Sequence, residues 1–148
     1  MNRETFVKGL VIILIRRFEA MVPQNIAFLF VLAFFLIVFL QSGLDKIIDY
    51  KGNLTFLKSL FKGFFPPPLI SVALISVTIL ELISGVLCLV GIIDFILNNN
   101  SHIGFLGLIV GSLALLVLLF GQRFSKNYEG AKTIAIYFIL AMIGIVLA

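Results

Sequence analysis

Four apolar runs, at Asn25–Leu44, Leu69–Ile93, Ile103–Phe120 and Ala131–Leu147, occupy most of this sequence, with short charged or polar stretches between them. About 20 helical residues, rising roughly 1.5 Å each, cross a hydrocarbon core of about 30 Å. Each run is therefore close to the length a bilayer demands. A soluble chain of 148 residues, 61% of them hydrophobic, has no core large enough to hide these runs, whereas a spanning helix turns them to lipid and satisfies its own backbone. The expected fold is an all-α membrane protein: a four-transmembrane-helix antiparallel bundle preceded by an N-terminal interfacial helix.

Residues 1–24 form the expected interfacial segment. From Thr5 to Met21 it opens with Phe6, Leu10 and Ile13 on one helical face, becomes apolar all round through Ile15, and then meets Arg16, Arg17 and Glu19. Its apolar stretch is too short to span. A cleavable signal peptide would place small residues where those charges stand, so this N-terminus is expected to be retained. Pro23 marks the break before a transmembrane domain at 25–148. Between the first two spans, Leu57, Leu60, Phe61 and Phe64 recur at helical spacing opposite Lys58, Ser59 and Lys62, which predicts a second interfacial helix over Asn53–Phe65. Pro66 to Pro68 force an extended lead-in, and the last can occupy a first helical turn, so the second span is expected to start near Leu69.

Strips of small residues suggest how the spans pack. Gly104, Gly107, Gly111 and Ala114 share one face of the third span, and Ala141, Gly144 and Ala148 one face of the fourth. Such strips let backbones approach closely in lipid. The net charge of +4 is divided among membrane-adjacent segments and builds no basic stripe, which argues for anionic lipid headgroups and against nucleic acid. With no Trp, interfacial anchoring falls to tyrosines and cations.

The inventory for chemistry is short. His102 is the only histidine and Cys88 the only cysteine, so this chain alone cannot supply paired haem imidazoles, a thiolate cluster or a zinc site. No catalytic residue and no metal ligand is assigned, and any redox cofactor would come from a partner. Glu81 stands out, near the middle of the second run. An ionised carboxylate there costs several kcal/mol on insertion scales, so such a residue is expected to face the bundle interior and find a partner or keep its proton. Thr78, Ser84, Gly85 and Cys88 line the same helical face. Glu81 reads either as a proton-handling or ligand-binding group, or as a packing group that hydrogen-bonds another helix. Counting ~1.5 Å per residue from a shared polar end puts Glu81 about 18 Å deep, Ser112 about 14 Å and Tyr137 about 9 Å. Ser112 is thus the expected neighbour of Glu81. At that polar end an antiparallel order gathers Gln41, Lys46, Gln122, Arg123 and Tyr137, a set that a headgroup, substrate or partner subunit could meet, or that simple snorkelling explains.

Three stretches, Ser42-Gly43-Leu44-Asp45-Lys46-Ile47, Glu81-Leu82-Ile83-Ser84-Gly85 continuing to Gly91, and Gly121-Gln122-Arg123, resemble the DoxX-like family of small four-helix bacterial membrane proteins. The resemblance runs from about residue 26 to the end, and Gly43, Lys46, Glu81 and Gly85 match the family pattern. It implies a bacterial inner-membrane location and a non-catalytic subunit of a larger quinone-linked respiratory or redox complex, with quinone as a possible ligand. The rivals are a purely structural or assembly subunit, and a small proton-coupled transporter using Glu81. Loops carrying Lys46, Lys51, Lys58, Lys62, Arg123, Lys126 and Lys132 outnumber in cations the side with Arg3, Lys8, Arg16 and Arg17, which favours those loops in the cytoplasm.

Overall fold

A computed structural model describes residues 3–19 and 22–148. It contains α1 (Arg3–Glu19), α2 (Pro23–Ile48), α3 (Tyr50–Leu60), α4 (Pro67–Asn98), α5 (His102–Phe124) and α6 (Tyr128–Leu147), and no strand among the described residues. Helices α2, α4, α5 and α6 are long and apolar enough to cross a membrane, which makes this an all-α, multi-pass membrane protein. Positions 1, 2, 20 and 21 of the expected N-terminal segment lie outside the described residues. Within α1 the apolar side chains of Phe6, Val7, Leu10, Val11, Ile12, Ile13 and Ile15 are all exposed.

The spans run longer than their apolar runs because helices continue into their polar flanks. Helix α2 passes Leu44 and ends only at Ile48. Helix α4 starts at Pro67, not Leu69, and takes both Pro67 and Pro68 into its first turn. N–H groups in a first turn have no intrahelical partner in any case, so two prolines there remove no helical hydrogen bond. Helix α3 is shorter than the expected 53–65 segment. It starts at Tyr50, where the Asp49 carboxylate accepts a hydrogen bond from the Gly52 N–H at 3.0 Å, and it stops at Leu60. Gly63, at φ +85°, turns the chain in a way a side chain would resist, and the prolines that follow cannot continue a helix. Phe64 consequently sits in the turn, exposed, with its ring edge-on to Phe124.

The antiparallel order can be read from contacts at matching depths. At one end of the bundle Phe28 of α2 meets Phe95 of α4 edge-on; at the other, α2 ends beside the middle of α4, where Lys46 meets Glu81. The glycines of the third-span strip are buried as expected. Gly104 lies against Gly91, Gly107 against Cys88, and Gly111 against Ser84 and Phe39. The Ser84 hydroxyl crosses this interface to donate to the Gly107 carbonyl at 2.7 Å. Without a hydrophobic drive between helices in lipid, such close contact and interhelical hydrogen bonding hold the pair together. On α6, Ala141 and Gly144 are buried, while Ala148, the residue just past its end, is exposed. Phe28, Leu32, Phe35, Phe39, Leu108 and Leu115 fill the centre.

Candidate functional site

Because α2 remains helical to Ile48, Ser42 and Lys46 fall one turn apart on the same face. Helix α4 begins well beyond the end of α2, which brings its fourth turn level with Lys46. Close approach of the two helices is secured by a reciprocal pair of glycines. A methyl on Gly43 would lie 2.7 Å from Leu82 Cδ2, and one on Gly85 2.7 Å from Leu40 Cδ2. Both spacings are too short for a side chain, so the leucine of each helix packs onto the glycine of the other.

Beyond the Gly43–Leu82 contact, one helical turn further along α2, lies an ion pair. Lys46 Nζ is 2.9 Å from Glu81 Oε2 and 3.0 Å from Oε1, with side-chain exposures of 16% for Lys46 and 1% for Glu81. Lys46 also donates to Ser42 Oγ at 2.6 Å, and that hydroxyl donates to Glu81 Oε1 at 3.0 Å. The three groups close a ring in which the three ammonium protons each have an acceptor. A buried carboxylate is tolerable when it is both charge-paired and hydrogen-bonded, and this ring meets both conditions.

The expected neighbour, Ser112, is not the partner. Its depth is well matched and it is buried, but its hydroxyl donates back along its own helix to the Leu108 carbonyl at 2.7 Å. Thr78, on the Glu81 face, likewise donates to Leu74 at 2.7 Å. A hydroxyl that satisfies itself within its helix gains little by crossing to another, whereas the Glu81 carboxylate, an acceptor to which no group of its own helix donates, takes the cation that α2 brings to its level.

A cavity of about 550 Å³ opens beside the ring, under α3. Leu57 and Leu60 of α3, Phe61 and Phe65 of the following turn, Leu74 and Val77 of α4 and Leu118 of α5 give it an apolar wall. Its polar lining consists of Ser42, Lys46, Asn53, Glu81, Gln122 and Tyr137. Of the candidates read from the sequence, the fold thus collects Lys46, Glu81, Gln122 and Tyr137 around one space. Gln41 is exposed and outside the lining, and so is Arg123, whose guanidinium lies 5.1 Å from the centre of the Tyr128 ring. Gln122 turns its Oε1 into a buried position without a hydrogen-bond partner, against Gly130. Tyr137 is held edge-on by Phe34 at 5.3 Å.

Two members of this site escaped the sequence reading. Ser42 was visible only as part of a short motif, although its i, i+4 spacing to Lys46 at the end of an apolar run was an available signal. Asn53 sits on the inner face of α3 and could be placed only once α3 was seen to cover the cavity. Among the described residues no three His, Cys, Asp or Glu side chains group as a metal site would require. Comparison of the chain with protein-family models, with curated proteins and with solved structures returned no match.

Proposed function

We propose that this protein is a non-catalytic integral subunit of a quinone-linked redox complex in a bacterial inner membrane, and that the cavity under α3 receives the lipid-soluble ligand. One observation carries the reading: a ligand-sized, mainly apolar cavity within the membrane domain has a part-buried Ser42–Lys46–Glu81 ring on its wall. Cavities of roughly 300–1,000 Å³ that combine apolar walls with a few fixed polar groups are typical small-molecule sites. The four residues that match the DoxX-like pattern, Gly43, Lys46, Glu81 and Gly85, also fall at a single α2–α4 contact. That gives the resemblance a common physical purpose, namely to bring α2 close enough for Lys46 to reach Glu81.

Purification from native membranes at endogenous level tests the proposal. Haem- or flavin-bearing subunits should co-purify, and Glu81→Gln should assemble normally while quinone-dependent turnover falls. A protein isolated alone, or a Glu81→Gln complex with unchanged turnover, favours the second reading, a structural or assembly subunit in which the ring fixes helix register. That alternative draws on the full saturation of the ring, since nothing in it waits for a partner. Transport is the least supported, because each span is one continuous helix with no broken segment at which a coupling ion could be held.

A further inference from the structure

The charges on the cavity wall restrict what can bind. Among the described residues, Lys46 and Glu81 are the only charged ones in the lining, they neutralise one another, and the ammonium protons are committed to Ser42 and Glu81. An anionic headgroup entering the cavity could claim Lys46 only by displacing Glu81, which is 1% exposed and would be left buried without a counter-ion. A cationic headgroup would meet the same obstacle from the other side. Tyr137 differs from these groups: it lines the cavity, its ring is fixed by Phe34, and its hydroxyl makes no hydrogen bond among the described residues. A phenol with an idle proton beside an apolar space is matched by an uncharged hydrogen-bond acceptor on an apolar body.

We infer that the cavity selects one uncharged, carbonyl-bearing amphiphile, with Tyr137 as the residue that recognises its polar end, and that it rejects fatty acids and anionic lipids. The inference rests on the reading of this cavity as a ligand site and goes on to name the chemical class and the specificity-determining residue. Phe61, Phe65, Leu57 and Leu60 would then hold the chain of the ligand, and the Ser42–Lys46–Glu81 ring would serve as a polar but electrically neutral floor.

The test uses the full chain in phosphatidylcholine nanodiscs. A diazirine-bearing fifteen-carbon methyl ketone is photo-crosslinked to the protein, the labelled residues are mapped by mass spectrometry, and labelling is competed by 2-pentadecanone, tetradecanoate or pentadecane. Crosslinks should map to the cavity residues of α3, α4 and α5, and 2-pentadecanone should compete at least about tenfold better than either other compound. Tyr137→Phe should reduce the advantage of the ketone over pentadecane by about threefold to tenfold, the range expected for one lost hydrogen bond. Equal or better competition by tetradecanoate would overturn the charge argument. Equal competition by pentadecane, crosslinks confined to lipid-facing positions, or an unchanged ketone preference in Tyr137→Phe would overturn the site or the role of Tyr137. The competition on the unaltered protein stands even if the variant folds poorly. Because no partner subunit is present, failure to find a redox complex in native membranes leaves this result independent.

Discussion

Gly91 and Gly104 meet backbone to backbone: a methyl group on Gly91 would lie 2.5 Å from both the Cα and the N of Gly104. There is no flexible side chain to move aside at this crossing, so α4 and α5 would have to separate. Gly91→Ala is expected to destabilise the bundle by about 1–3 kcal/mol, the usual range for overpacking. Gly9→Ala is the contrast, because nothing lies within 4 Å of that position in α1 and alanine favours a helix over glycine by up to about 1 kcal/mol. Thermal denaturation in a single detergent, followed by circular dichroism, would separate the two. Similar losses for both variants would count against the α4–α5 contact.

The Lys46–Glu81 pair should respond unequally to loss of its members. Glu81 is only 1% exposed, while Lys46 is 16% exposed and carries a long stem that can swing outward. Lys46→Met should therefore cost about 3–5 kcal/mol, the range for an uncompensated buried charge, and Glu81→Leu should cost less. The double variant should be more stable than Lys46→Met alone, because it removes the stranded carboxylate. A double-mutant cycle measures this coupling, and additive losses would mean that the pair does not form.

Helix α3 should show opposite environments at adjacent residues. Leu57 lines the cavity and is half-buried, whereas Lys58 is exposed. Spin labels at these positions should differ in accessibility to a water-soluble relaxation agent, with position 58 the more accessible. Equal accessibility would exclude an α3 that covers the cavity with one face.

Sidedness can be tested with a membrane-impermeant thiol reagent. Cys88 is fully buried and should stay unlabelled in the folded protein. Cysteines introduced at Lys62 and Asn100, both exposed and at opposite ends of α4, should label from opposite sides of sealed vesicles. Labelling of both from one side would contradict the crossing of α4.

The sequence by itself determined the spans and the problem posed by Glu81. Apolar runs of spanning length leave a chain few alternatives, because a bilayer satisfies no backbone polar group and so requires helices there. The same absence of water obliges a carboxylate in the middle of α4 to find a partner. Small-residue spacing likewise marked the α5 face that packs on α4, since only the lack of a side chain permits that approach. Which partner Glu81 takes was decided by tertiary structure. Depth counting assumed that the helices start level, whereas α4 begins beyond the end of α2 and α2 continues past its apolar run to Ile48. Lys46, which reads in sequence as a flanking cation, is thereby placed beside Glu81, while Ser112 spends its hydroxyl on its own helix. The cavity is a tertiary product for the same reason. It exists because α3, an eleven-residue helix stopped by Gly63 and three prolines, folds over the space left where α4 outruns α2. Periodicity within one segment carries no information about how far neighbouring helices are offset, and that offset is what assembles the site.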